Sequence, residues 1–307
     1  MNSIKIKSPA TVANLVCGFD VLGMCLHEPY DEMEVKLIHE KKIIIQSADG
    51  YPLPVDPQQN TAGAPLIEML KTIDDDLGFE VLIKKNIKPG SGLGSSAASA
   101  SGAVIAANHL LGNRFTKSEL VQFAMFGEKV ASGVKHADNV APGIFGGVTL
   151  IRCIFPLDIV SITPPSLYVT VVHPQIEVKT SDARQILRKE VLLKDAIKQW
   201  GNIAGLVAGL VKGDYELIGR SLEDVIIEPV RSILIPGFDA IKTQCKEAGV
   251  LGGGISGSGP SLFMLSKDKS TAVVAEEIMK DIYNNLGLAY HTYVTTINND
   301  GCKVLSY

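Results

Sequence analysis

Hydrophobic and polar residues alternate at Ile4-Lys5-Ile6-Lys7, the two-residue period of a strand whose faces differ. The same criterion predicts strands over 34–38 and 42–46, expected to pair with each other, and over 79–85. Leu66, Met69, Leu70 and Ile73 recur at helical spacing within 60–76. From Ala97 to Leu111 the chain is small and apolar, with no proline, which predicts a buried helix starting near Ser95. Thr116 followed by Glu119 is a capping box that opens a helix reaching about Ala131. Strands follow over 150–154, 159–162 and 168–172, with Pro164-Pro165 as a loose boundary. A helix from Thr180 carries Arg184 and Arg188, and a long apolar helix over 192–212 is expected to be buried. Helices over 215–224 and 238–248, the second ended by Gly249, precede a last helix over 271–286 and a strand over 290–297. Strands mixed with helices in this order imply the α+β class.

Two segments break the pattern. Residues 8–23 are loop by their Pro, Asn and Gly content, with Asn14 and Asp20 set among apolar neighbours. Turn chemistry explains both residues, and so does a substrate-holding role. Residues 252–260 hold five glycines between two apparent strands, which fits a tight hairpin or a close backbone approach to a ligand.

Composition narrows the function classes. A net charge of −4 argues against a nucleic-acid or polybasic membrane role. The five cysteines are scattered with no C-x-x-C pair, so we expect neither a disulfide framework nor a zinc site, and a reducing, cytoplasmic setting. No targeting segment is visible, and the apolar run 203–211 is too short to span a bilayer.

The chemistry centres on Pro89-Gly90-Ser91-Gly92-Leu93-Gly94-Ser95-Ser96. Strand, glycine-rich turn and helix start together form an anion site, because unpaired N–H groups and partial positive charge gather there. The hydroxyls of Ser95 and Ser96 can cap the helix or ligate a hard cation. The loop lacks the G-x-G-x-x-G and distant acid of a dinucleotide fold, and no lysine follows Gly94 as a Walker loop requires. H-R-D and D-F-G elements of protein kinases are absent. Glu128, at the end of its helix, is either part of a solvated face or a metal-ligating carboxylate. The cluster His136-Ala137-Asp138-Asn139 lies in a glycine-bounded loop of the kind that carries function.

Three stretches together resemble the GHMP small-molecule kinases: Ser8 to Gly23, Pro89 to Ala98 and Gly252 to Pro260. Pro9-Ala10-Thr11-Val12-Ala13-Asn14-Leu15 with Gly18-Phe19-Asp20, the segment His136 to Pro142, and Glu228-Pro229-Val230-Arg231 are most similar to the members that act on L-homoserine. Thr11-Val12 departs from that pattern by replacing two small hydroxylated residues. The resemblance implies a two-domain fold, an N-terminal domain over 1–160 with the phosphate loop and a C-terminal domain over 161–307, with the active site between. It implies ATP-dependent phosphorylation of the homoserine side-chain hydroxyl, within threonine biosynthesis, with Mg²⁺, by a homodimer. It further implies that the loop from Pro89 to Ser96 holds the nucleotide and that Ser96 and Glu128 ligate Mg²⁺. Asn14, Asp20, His136, Asn139, Arg184, Arg231 and Gly257 would hold the substrate, with Asn139, Arg184 and Glu128 in catalytic roles. Paired guanidinium groups suit a carboxylate, and Asp20 suits an ammonium. Asp138 is either a base or a brace for its loop. The alternatives are another GHMP kinase, such as one for mevalonate, and a non-catalytic nucleotide or metabolite sensor of the same fold.

Overall fold

The computed structural model describes residues 2–178 and 180–306. The first half runs β1 (Ser3–Ala13), β2 (Leu22–Ile38), β3 (Ile43–Gly50), α1 (Gly63–Leu70), β4 (Gly78–Lys85), α2 (Ser95–Leu110), α3 (Lys117–Ser132), α4 (Val140–Phe145), β5 (Val148–Ile154) and β6 (Leu157–Ile162). The second runs β7 (Tyr168–Pro174), α5 (Thr180–Gln185), α6 (Leu193–Lys212), α7 (Tyr215–Ser221), α8 (Glu228–Arg231), α9 (Phe238–Glu247), β8 (Gly252–Ile255), β9 (Leu262–Ser266), α10 (Lys269–Asn285), β10 (Tyr290–Thr296) and β11 (Lys303–Ser306).

Two sheets result. One has seven strands in the order β11-β1-β2-β4-β3, with β5 joined to β2 and β6 to β5. The other has four antiparallel strands in the order β10-β7-β9-β8. The last strand, β11, therefore returns to pair with the first. Helices α1 to α4 cover the seven-stranded sheet over a core that includes Ile6, Val35, Phe79, Val81, Ile83 and Val104. A second core joins the two sheets, where Val12, Leu22 and Leu26 meet Val169, Val171, Leu206 and Phe263. A third lies between the smaller sheet and α9 and α10. Among the described residues no helix is long and apolar enough to cross a membrane.

The expected pairing of 34–38 with 42–46 does not form. Both segments flank β4 instead: Glu32–Ile38 pairs antiparallel with Gly78–Lys84, and Ile43–Ser47 pairs parallel with Phe79–Ile83. The crossover through α1 sets the parallel direction. β4, with Phe79, Val81 and Ile83 fully buried, takes an inner place, while β3, carrying polar Gln46, Ser47 and Asp49, takes the edge.

The segment 8–23 is loop only in its second part. Ser8–Ala13 extends β1, pairing Thr11, Val12 and Ala13 with Cys25, Met24 and Gly23 past an irregularity at Pro9. Its β-branched and small residues are all buried, which favours the strand. The true loop, 14–21, holds Asn14, Leu15, Val16 and Asp20 at positive φ.

The helix over 193–212 is not buried all round. Gln199, Leu206, Gly209 and Leu210 face the interior, whereas Leu193, Ile197, Trp200 and Val211 are exposed. Both faces are apolar, so composition alone could not separate them.

Candidate functional site

The seam between the halves opens into a cleft of about 410 Å³. Its floor is the loop between β4 and α2. Gly90, Gly92 and Gly94 all have positive φ, which only glycine adopts cheaply. A Cβ on Gly92 would lie 2.6 Å from the carbonyl oxygens of Ser256 and Gly259, and one on Gly94 would lie 2.0 Å from Thr11 Oγ1. The loop is thus pressed between the strand β1 and the second glycine-rich loop. Ser256 Oγ and Ser261 Oγ donate to the carbonyls of Gly92 and Ser91 at 2.7 and 2.6 Å, and Leu93 O accepts from Thr11 N at 3.2 Å. The glycines of 252–260 form a hairpin whose tip is a structural partner of the phosphate loop.

Gly94 sits at the N-cap of α2 with no side chain to cap it. Neither neighbouring hydroxyl caps either: Ser95 Oγ donates to the Ile87 carbonyl at 2.8 Å, and Ser96 Oγ donates to Glu128 Oε1 at 2.6 Å. The first-turn N–H groups of α2 therefore border the cleft with their donors and the helix's positive end.

Glu128 is buried, not on a solvated face. Burial pushes its pKa up, while the Ser96 hydroxyl and the Lys85 charge pull it down. Two hard oxygens, Ser96 Oγ and Glu128 Oε1, meet at the mouth of a helix N-terminus. That set fits Mg²⁺, which binds through one or two protein oxygens and fills its sphere with phosphate and water. Among the described residues no group of three or more His, Cys, Asp or Glu converges on a metal-sized site.

Lysine does reach the loop, from a direction the missing Gly-Lys signature did not indicate. Lys85, the last residue of β4, is fully buried, pairs with Asp31 and donates to the Ser95 carbonyl and to Ser99 Oγ. Asp31 also accepts from the N–H groups of Asn86 and Ile87 at 2.8 and 2.9 Å, fixing the start of the loop. Burial lowers the Lys85 pKa, and Asp31 opposes the shift. The strand period that buries Phe79, Val81 and Ile83 also points residue 85 inward, so the signal was present.

The opposite wall carries the charges. Arg184 donates through Nη2 to both carboxylate oxygens of Asp20, at 3.0 and 3.1 Å. Asp20 is positioned by Asn14, whose Oδ1 accepts from the Asp20 N–H at 3.0 Å and whose Nδ2 donates to Gly257 O at 2.9 Å. Asn14 therefore uses its amide as turn chemistry. Arg231 is buried and donates to the carbonyls of Ala183 and Gly257 at 3.0 and 3.1 Å. Burial, then the Arg184 charge, pulls its pKa down to about 10, so it remains cationic at neutral pH. Both guanidinium groups lie within cation–π reach of the Phe19 ring, at centroid distances of 4.9 Å for Arg231 and 5.6 Å for Arg184.

His136 Nδ1 stands 4.0 Å from Asp20, and burial lowers its pKa. Asn139 Oδ1 accepts from Thr11 Oγ1 at 2.8 Å, which leaves its amide nitrogen directed by that bond. Asp138 is buried beside it. Burial first, then the charges of Asp20 and Glu128, raises its pKa to about 7.

Of the residues singled out from the sequence, Asn14, Asp20, Pro89, Gly90, Gly92, Gly94, Ser95, Ser96, Glu128, His136, Asn139, Arg184, Arg231 and Gly257 line this one cleft. Ser91 and Leu93 do not; both are buried in contacts within the protein. Sequence reasoning missed Thr11, Phe19 and Lys85, and also the lobe lined by Pro52, Leu53, Asn60, Thr61, Val130 and Ser132. It missed a clamp too. Gln199 of α6 donates to the Cys17 carbonyl at 2.8 Å and to Asp224 at 3.0 Å, and Asp224 accepts from the N–H groups of Ile226, Ile227 and Glu228 at the start of α8. The loop bearing Asp20 and the helix bearing Arg231 are tied through these two side chains.

The chain is similar to known proteins along nearly its whole length. Residues 63–147 match the GHMP kinases N terminal domain, and residues 206–285 match the GHMP kinases C terminal domain. A homoserine kinase of Chloroherpeton thalassium is 47% identical, over 99% of this chain and all of that protein. The crystal structure of homoserine kinase from Cytophaga hutchinsonii is 47% identical and superposes with a TM-score of 0.95, over 99% of this chain and 98% of that one. L. major mevalonate kinase, solved with R-mevalonate, is 17% identical and shares the fold at a TM-score of 0.72, over 97% of this chain and 96% of that one.

Proposed function

This chain belongs to the GHMP kinases, on the homoserine kinase branch, and from that premise we propose that it transfers the γ-phosphoryl group of ATP to the side-chain hydroxyl of L-homoserine, giving O-phospho-L-homoserine. The observation that carries the substrate is the convergence of Arg184, Arg231 and Asp20 on one wall of the cleft. Two guanidinium groups match a carboxylate and one carboxylate matches an ammonium, the two ends of an α-amino acid zwitterion. Mevalonate has no ammonium to offer Asp20.

In this reading the substrate carboxylate binds Arg184 and Arg231, and its ammonium takes over Asp20 from Arg184. Asn14 acts by holding Asp20, and His136 and Gly257 close the pocket around the amino acid. The nucleotide phosphates lie on the N–H groups of Gly92, Gly94, Ser95 and Ser96, which border the cleft, above the buried Lys85 ammonium. Ser96 and Glu128 would hold Mg²⁺, which when bound neutralises charge on the β- and γ-phosphates. Asn139, anchored by Thr11, orients the hydroxyl oxygen toward the γ-phosphorus. The new oxygen–phosphorus bond forms as the bond to the β-bridging oxygen breaks, and ADP leaves. A loose transition state needs little early proton abstraction, and Asp138 accepts the proton as it is shed. We assign the nucleotide-holding half to residues 1–160 and the other to 161–307, and place the product in threonine formation.

A coupled assay of ADP release over a panel of alcohols tests the assignment. Homoserine is the expected substrate; turnover of mevalonate without turnover of homoserine overturns it.

A further inference from the structure

The loop 14–21, which carries Asp20 into the cleft, is built on unfavourable backbone. Asn14 and Asp20 have φ of +74° and +61°, which these two residue types accept readily, but Leu15 at +42° and Val16 at +66° are not residues that do. A β-branched side chain in the left-handed region persists only where its surroundings over-determine it. Burial of Leu15 and Val16 keeps the segment in the core between the two sheets. Burial has no direction, however, and does not fix which way the peptide planes face. The bonds within the loop are short-range: Cys17 N–H donates to Leu15 O at 3.0 Å, and Gly18 N–H to Asn14 O at 2.7 Å.

The Cys17 carbonyl reaches outside the loop, to Gln199 of α6. Gln199 is buried, and its amide fits only one way round. Both Nε2 hydrogens are used, on Cys17 O at 2.8 Å and on Asp224 Oδ1 at 3.0 Å, and Oε1 accepts from the Val225 N–H at 3.1 Å. Turned over, the amide would set its oxygen against a carbonyl and a carboxylate. Asp224 is fixed in turn by the N–H groups of Ile226, Ile227 and Glu228. One side chain therefore ties the strained loop to the turn that starts the helix bearing Arg231. Gln199 itself does not line the cleft.

We infer that Gln199 is a positioning residue for the amino-acid end of the substrate: by holding the Cys17 carbonyl it keeps the strained turn from relaxing, and so keeps Asp20 on the same wall as Arg231. This role rests on the homoserine assignment and adds to it a residue that does not touch the substrate. The strain is the reason a remote bond matters. Freed at Cys17, the backbone of Leu15 and Val16 relaxes toward negative φ, and Asp20, three residues beyond Cys17, moves with it. The start of the phosphate loop is anchored separately, through Lys85 and Asp31, and does not depend on this bond.

Kinetics of the full chain, with homoserine and ATP varied in turn, test it. Gln199→Met keeps the length and bulk of the side chain and removes its hydrogen bonds. It is expected to raise the KM for homoserine about tenfold and to leave the KM for ATP within about twofold. An enzyme that is merely destabilised loses apparent kcat and keeps both KM values, so the readout survives partial unfolding. Gln199→Asn, an amide one methylene short, is expected to fall between wild type and Gln199→Met. In an Asp20→Asn background Gln199→Met is expected to add less than about threefold, because both changes act on one contact. Lys198→Ala, which removes an exposed bond of 2.6 Å from α6 to Glu223 on the same turn, is expected to leave the homoserine KM unaltered. A wild type that does not turn over homoserine would fell the substrate assignment, and the role of Gln199 with it. Given wild-type turnover, an unchanged homoserine KM in Gln199→Met, an equal rise in both KM values, full additivity with Asp20→Asn, or the same rise in Lys198→Ala would each overturn the role of Gln199 alone.

Discussion

Arg184 and Asp20 hold each other on one wall of the cleft by an ion pair in which both oxygens of Asp20 lie 3.0 to 3.1 Å from one nitrogen of Arg184. A zwitterionic amino acid satisfies both partners at once, since each of its charges replaces the one it displaces. Asp20→Asn keeps the shape and removes the charge that meets the ammonium. A charge-assisted hydrogen bond of about 1.5–3 kcal/mol corresponds to a KM for homoserine raised roughly 10- to 100-fold, with the KM for ATP little changed. Steady-state kinetics with each substrate varied in turn decides this. An equal rise in both constants would reduce Asp20 to a brace for Arg184.

Arg231 presents a planar fork to its neighbours from a buried position. Arg231→Lys keeps the charge but loses the two-point geometry, and is expected to raise the homoserine KM by about tenfold or more. Arg231→Ala should raise it further still. Wild-type kinetics for the lysine variant would show that charge alone is being used.

Glu128→Gln keeps the hydrogen bond to Ser96 and removes the negative charge. Turnover is expected to fall by two orders of magnitude or so, with the Mg²⁺ concentration for half-maximal rate shifted upward. An unchanged Mg²⁺ titration would remove Glu128 from the ligand set.

Lys85 and Asp31 form a buried ion pair, so truncating one strands the other. Lys85→Met is expected to cost about 3–5 kcal/mol of stability, read as a lower urea midpoint. The double variant Lys85→Met, Asp31→Leu should recover a large part of that loss, because no uncompensated charge remains. If the double variant is no more stable than the single one, the carboxylate's bonds to the loop N–H groups, and not the ion pair, are what the fold depends on.

Asp138 titrates near 3.8 in an unfolded chain and near 7 in the folded one. Between those values the folded state keeps a proton that the unfolded state has lost. The group's contribution to stability is thus complete below about pH 3.8 and is lost as pH rises through about 7. His173, pulled down to about 4 by burial, acts with the opposite sign in an overlapping window, so the wild-type profile alone is not diagnostic. Denaturation of wild type and Asp138→Asn across that range isolates the carboxyl. The wild type should lose ground to the variant as pH rises, and parallel profiles would show that Asp138 does not titrate there.

What the sequence made legible followed from locality. The phosphate loop was readable because positive-φ glycines, a strand end and a helix start are consecutive. The capping box at Thr116 and Glu119 was readable for the same reason, and both its bonds form. The partner of β2 was not readable, because the choice between β3 and β4 depends on which strand can be buried on both sides. Lys85 was readable in principle from the inward phase of β4, but it precedes the glycines, whereas the lysine of a Walker loop follows them. The clamp through Gln199 and Asp224 leaves no local trace. Two polar residues 25 positions apart become a unit only when α6 packs against the loop after β1. The outer face of α6 resembled a core face because both its sides are apolar.

The return of β11 to β1 bears on how the molecule is made. Lys5, Ile6 and Lys7 take Ser306, Val304 and Lys303 as neighbours, at nearly the greatest sequence separation the chain allows. On the ribosome the outer edge of β1 stays unpaired while the rest of the chain emerges, although β2 can zip onto its other side early. An open strand edge of that kind invites pairing with the same edge on another nascent chain. Closing the sheet is a late, long-range event, so the yield of properly folded protein should depend on synthesis rate and chaperone supply more than the mature enzyme's stability would suggest.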